Sequence, residues 1–178
     1  MISTTSSLYR RALQCLMAGA MMAASIAMPS AVLAETPASV QRSQASLQTV
    51  TTYEFLDKLA AYHGKVILVN FFAEYCGPCR MEIPELMKMR KEFSEEDLII
   101  IGVAVDMDIR QAEPFVKEMG VADVYPVYYG GAELARAYRV GAIPFNVVYN
   151  RKGHIEASEA GFIPSEDMKR FLTQVIAR

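Results

Sequence analysis

The chain has 178 residues with 18 Lys+Arg against 20 Asp+Glu, a formal net charge of −2, and 52% hydrophobic residues. That length suits one domain with an appendage, and the apolar content excludes a globally disordered chain. No basic excess exists to draw nucleic acid, so no nucleic-acid partner is expected.

Residues 1–34 read as a secretory signal peptide. Arg10 and Arg11 give a positive start. A charge-free segment rich in Ala and Met follows, closing on Ala31-Val32-Leu33-Ala34 with small or slim side chains. The alternative is an uncleaved membrane anchor, which Pro29, Gln14 and the many alanines weaken. Cys15 lies near the start of the apolar stretch, the wrong end for a lipidated cysteine, and is expected to leave with the leader. Cleavage after Ala34 leaves 16 Lys+Arg against 20 Asp+Glu, a net charge of −4, and two of the three cysteines. Two cysteines separated by two residues close too short a loop to staple a fold. Their role is expected to be chemical.

Residues 35–48 are polar and read as a flexible lead-in to a domain over 49–178. Tyr53 to Ala60 carries apolar residues at helical spacing and stops at Gly64. Val66 to Phe72 is an almost unbroken branched and aromatic run, expected to be a central strand covered on both faces. Cys76-Gly77-Pro78-Cys79 then opens a helix to about Phe93, with Pro78 in its first turn and a kink expected at Pro84. Leu98 to Val105 predicts a second buried strand, with Asp106 and Asp108 at its exit. Gln111 to Met119 is helical up to Gly120, Tyr125 to Tyr129 is extended, and Glu133 to Arg139 is a short helix. Phe145 to Tyr149 and Ile155 to Ala160 form a hairpin around Asn150-Arg151-Lys152-Gly153. Ser165 is expected to cap a last helix to about Arg178. The order implies an α/β fold, a central mixed β-sheet flanked by helices on both faces.

A Cys-x-x-Cys that follows a buried strand and opens a helix has a chemical reading. Unpaired backbone N–H groups and the helix dipole favour a thiolate at the first cysteine. Cys76 is then the attacking thiol, and Cys79, one turn on, resolves the mixed disulfide. Gly77 and Pro78 leave little bulk beside the attacking sulfur. The competing readings are a plain disulfide or a zinc half-site. Zinc needs four ligands, and neither His63 nor His154 stands at ligand spacing from Cys76, so no metal is expected.

The segment VILVNFFAEYCGPCR, Val66 to Arg80, resembles the active-site segment of the thioredoxin superfamily. Cys79-Arg80-Met81-Glu82-Ile83-Pro84, Tyr125-Pro126-Val127 and Ala135 to Pro144 resemble its exported TlpA/ResA-like branch. The resemblance covers roughly residue 50 to the C-terminus and implies a thioredoxin-like fold. It implies that Ile143-Pro144 is the cis-proline loop, which presents backbone to an extended substrate, and that Glu82 is an acid that tunes thiol ionisation or relays protons to Cys79. An exposed helix glutamate is the plainer reading of Glu82. Thioredoxin itself has a buried Asp and a neighbouring Lys at the positions resembling Asn70 and Gly102, so that relay does not carry over; Asn70 reads as a hydrogen-bonded core residue. Tyr75 stands for the usual Trp. Phe145-Asn146 stands where small hydroxyl residues are common, beside the expected substrate groove or simply packed at a strand start. Met81, Met87 and Met89 read as packing, and Glu92, Glu95, Glu96 and Asp97 as a solvated helix end.

The resemblance further implies a periplasmic, monomeric protein-disulfide reductase. It would have no cofactor beyond the redox-active Cys76–Cys79 disulfide and would take electrons from a membrane thiol donor of the DsbD/CcdA type. Its partners would be disulfide-containing envelope proteins, for example in cytochrome c maturation. The alternatives are a disulfide oxidase or isomerase, and a copper-handling thioredoxin-like module.

Overall fold

A computed structural model of the chain describes residues 47–178. The expected leader, Cys15 and most of the lead-in lie outside the described residues. The elements, in order, are β1 (Gln48–Thr49), α1 (Thr52–Ala60), β2 (Val66–Phe72), α2 (Gly77–Glu92), β3 (Leu98–Ala104), α3 (Ile109–Met119), β4 (Val127–Tyr129), α4 (Gly131–Ala137), β5 (Phe145–Tyr149), β6 (Ile155–Ala160) and α5 (Ser165–Ile176). A single 3₁₀ turn, Val121–Asp123, separates α3 from β4.

The six strands form one sheet in the order β1-β4-β3-β2-β5-β6. β1, β4, β3 and β2 run parallel, and β5 and β6 join as an antiparallel hairpin against β2. β2 and β3 are buried at every residue, as continuous apolar runs in a doubly covered sheet should be. Side-chain alternation sorts the core into two layers. Val66, Leu68 and Phe72 of β2 pack with Ile83, Leu86 and Met89 of α2, Phe115 of α3 and Leu172 of α5. Ile67, Val69 and Phe71 face the other way, onto Phe55 and Leu59 of α1 and Leu134 of α4.

Several boundaries differ from expectation, each for a local reason. Gln48 is not the end of a flexible lead-in but part of β1, registered opposite Tyr128. Both β1 residues are exposed, so no apolar pattern announces the strand. α1 starts at Thr52 because Thr51 and Glu54 form a reciprocal capping box. α2 continues past Pro84 and ends at Glu92, with Phe93 as its extended C-cap residue. Ser165 is not the cap of α5 but its first residue; Pro164 holds the cap position without a side-chain bond.

The expected solvated acidic end of α2 is more structured than its composition suggests. Asp97 pairs with Arg151 at 2.7 Å, Glu96 with Lys65 at 3.4 Å, and Glu92 with Lys169 of α5.

Candidate active site

α2 leaves the C-terminal end of β2 through Ala73-Glu74-Tyr75. Cys76 takes the N-cap position in extended conformation, and its Sγ accepts from the Cys79 N–H at 3.1 Å. Sulfur therefore stands where an oxygen cap ordinarily satisfies an orphan amide. The Cys76 and Cys79 sulfurs are joined as a disulfide with Cα atoms 5.2 Å apart. Cys76 is 5% exposed, Cys79 fully enclosed, and Gly77 has open space where a Cβ would stand. One sulfur thus stands at the protein boundary and one behind it.

The Cys76 loop is anchored from β3. Asp106, fully buried, accepts the Glu74 N–H at 2.8 Å through Oδ1, while its Oδ2 has no partner. Burial raises the Asp106 carboxyl above the usual carboxylate range, and the Glu74 charge adds to it; the Glu74 amide acts in the opposite sense.

Glu82 is not an exposed helix residue. It lies one helical turn beyond Cys79 on the same buried face of α2 and is 1% exposed. Its carboxylate accepts from Asn70 Nδ2 at 2.8 Å, from Asn146 Nδ2 at 3.1 and 3.2 Å, and from the Ile163 N–H at 3.2 Å. Every donor is neutral. Burial is the dominant influence and raises the carboxyl above its ordinary value, while these donors pull it back.

Strand alternation explains the two asparagines. Asn70 shares its face with Leu68 and Phe72, and Asn146 shares its face with Val148, so both point at α2. They are registered partners across β2 and β5, and Asn70 Nδ2 also donates to Asn146 Oδ1 at 2.9 Å. On the other side Asn70 is registered with Gly102, where an added Cβ would stand 3.0 Å from the Phe72 ring and 3.4 Å from the Tyr125 ring. Aromatic rings fill the space over Gly102. The Tyr125 hydroxyl is buried without a partner, and its phenol is pushed up by burial and by the Glu82 charge.

The Ile143-Pro144 bond is cis. Ile143 packs against the apolar layer that contains Cys76 and Cys79, and Pro144 O accepts from the Gly161 N–H at 2.7 Å. Phe145 is half-buried, but Asn146 faces inward and not into a groove. Met89 is core, Met87 half-buried and Met81 exposed, so the three do not present one face. Asn146, Asp106 and the Ile163 amide are the site groups that sequence reasoning did not assign. A polar residue at an inward position of the apolar strand Phe145 to Tyr149 was the available signal for Asn146.

A helix-capping cysteine pair on a mixed sheet covered on both faces, with a cis-proline preceding β5, defines a redox enzyme of the thioredoxin-like class. The chain belongs to the AhpC/TSA family, whose model matches residues 44–158. It is similar to the thiol-disulfide oxidoreductase ResA of Geobacillus kaustophilus, 24% identical over 66% of this chain and 67% of that one. It is also similar to the thioredoxin-like protein YneN of Bacillus subtilis, 29% identical over 61% of this chain and 64% of that one. The matched stretch thus spans about two thirds of the length of these relatives. A solved thiol:disulfide interchange protein of the thioredoxin family from Chlorobium tepidum superposes with a TM-score of 0.58 and 28% identity, covering 66% of this chain and 83% of that one.

Proposed function

We propose that the protein is an exported protein-disulfide reductase in which Cys76 attacks, Cys79 resolves and Glu82 handles the proton of Cys79. The observation that carries this reading is the Cys76–Cys79 disulfide at the N-terminus of α2, with the Glu82 carboxylate buried one turn behind it. In the reduced enzyme the Cys76 thiolate, favoured by the helix terminus, attacks one sulfur of a substrate disulfide. A mixed disulfide forms and the first substrate thiolate leaves. Cys79 gives its proton to Glu82, attacks Cys76 Sγ and expels the second thiolate. Two electrons pass to the substrate, whose two thiolates take up protons from solvent or from protonated Glu82, and the enzyme is left with the Cys76–Cys79 disulfide. A raised carboxyl suits this exchange, because a base works best with a pKa near the working pH.

Ile143, next to the cis-proline Pro144, is the backbone on which an extended substrate segment would pair, and Gly77 and Pro78 leave access to Cys76. The leader pattern of residues 1–34 supports a periplasmic setting. There the substrates would be disulfide-containing envelope proteins, apocytochrome c among the candidates, and a membrane thiol donor of the DsbD/CcdA type would restore the dithiol. Similarity to proteins named thiol-disulfide oxidoreductase supports the chemistry. Trapping tests the proposal. Cys79→Ser should accumulate discrete mixed disulfides with envelope proteins, while Cys76→Ser should not. Equal trapping by Cys76→Ser would reverse the roles, and partners drawn from the cytosol would sink the exported assignment.

A further inference from the structure

Glu82 has an unusual set of neighbours for a buried acid. None of the described ion pairs includes it, and its four hydrogen bonds come from two side-chain amides and one backbone amide. Asn146 alone reaches both carboxylate oxygens. The amide cannot turn over without loss. Its Nδ2 faces the two acceptors of Glu82, and its Oδ1 is held by the Asn70 amide at 2.9 Å. A flip would set oxygen against carboxylate and nitrogen against nitrogen.

Asn146 also belongs to the right segment. It lies two residues beyond Pro144, in the strand that starts immediately after the cis bond. The segment that follows β6 is tied at both ends of this arrangement, with the Gly161 N–H on Pro144 O and the Ile163 N–H on Glu82 Oε1. Glu82 is therefore bracketed by two stretches of chain that both contact the cis-proline.

We propose that Asn146 is a positioning residue whose amide fixes the Glu82 carboxylate toward Cys79 and ties it to the cis-proline strand. This rests on the reading of Glu82 as the proton acceptor of Cys79. The groups facing the acid are few. β2 and β5 present neutral Asn70 and Asn146, and the segment before β4 presents the Tyr125 phenol. The charged side chains of α2 point elsewhere: Arg80 pairs with Glu118 of α3, Lys88 with Glu85, and Glu92 with Lys169 of α5. With no cation to hold the anion, its donors set its proton affinity. Removing the Asn146 amide, which makes two of the four hydrogen bonds, should raise it.

The test is the pH dependence of the reaction of the reduced protein with the aromatic disulfide 5,5′-dithiobis(2-nitrobenzoate), followed by stopped flow. One reagent molecule accepts two electrons and releases two coloured thiolates. The first marks attack by Cys76 and is the internal reference. The second marks resolution by Cys79. Asn146→Leu, which keeps the branched shape and removes the donor, should move the inflection of the second phase up by about one pH unit. Asn146→Asp, of the same shape, should move it upward too by placing a carboxyl against Glu82, and decides the matter if the leucine variant does not fold. Glu82→Gln should abolish the inflection. If Glu82→Gln leaves it intact, the proton-acceptor reading fails. If Glu82→Gln abolishes it while the folded Asn146 variants keep the wild-type inflection, the positioning role of Asn146 is wrong.

Discussion

Asn70→Asp exchanges one donor nitrogen for an acceptor oxygen in a place where that single change meets two acceptors. Asn70 is fully buried, and its Nδ2 donates to Glu82 Oε2 at 2.8 Å and to Asn146 Oδ1 at 2.9 Å. The first is a bond to a charged group, worth roughly 1.5–3 kcal/mol, and the second a neutral bond worth about 1 kcal/mol. Losing both and setting carboxylate against carboxylate should cost about 3–5 kcal/mol at pH 7.5, a large share of a typical domain's stability. Acid should restore much of it. A proton shared by the two carboxyls turns one of them back into a donor, so the folded protein holds that proton to a higher pH than the unfolded chain does. The folded state then binds more protons than the unfolded state above about pH 4, and stability falls as pH rises. Burial of Glu82 already sets this sign in the wild type, and the variant should steepen it. Urea titrations at pH 4.5 and pH 7.5 measure both quantities. A loss below about 1 kcal/mol at pH 7.5, or a loss equal at the two pH values, would refute the reasoning.

Asp106→Asn keeps the oxygen that accepts from Glu74 and removes a buried charge whose other oxygen has no partner. Because the folded carboxyl is raised, its cost appears above about pH 4. The variant should therefore gain on the wild type as pH rises from about 4 to about 7 in denaturant titrations, and a relative loss over that interval would contradict this. Gly102→Ala places a Cβ 3.0 Å from Phe72 Cε1, 3.3 Å from Val127 Cγ2 and 3.4 Å from Tyr125 Cε2. Overpacking should destabilise by about 1–3 kcal/mol where a strand glycine would otherwise gain from alanine; an unchanged denaturation midpoint would show that the rings above Gly102 can move.

What the residues disclosed follows from which forces act locally. β2 and β3 were legible because each is an apolar run with no polar interruption but Asn70, and burial on both faces needs such a run. The Cys-Gly-Pro-Cys helix start was legible because helix termini have strict chemical needs. β1 was not, since two exposed residues derive their strand character from β4, far along the chain. Ser165 misled because a serine before an apolar pattern resembles a cap, whereas Pro164 already sets the backbone for the helix. Within the site, the resemblance to exported reductases singled out Glu82, and periodicity alone would have left it on the surface. Its surroundings needed the register between β2 and β5, a long-range pairing that brings residues 70 and 146 side by side. Asn146 stood out only as a departure from the usual small hydroxyl residues, and its pairing with Asn70 and Glu82 was not visible at all.

The division of labour between the two cysteines is tested most directly by timed alkylation of the fully reduced protein, mapped by mass spectrometry across pH. The account predicts that Cys76 is modified first, with an apparent pKa below the ~8.5 of a free thiol, while Cys79, enclosed behind it, stays protected. Equal labelling of both, or modification of Cys79 ahead of Cys76, would contradict it.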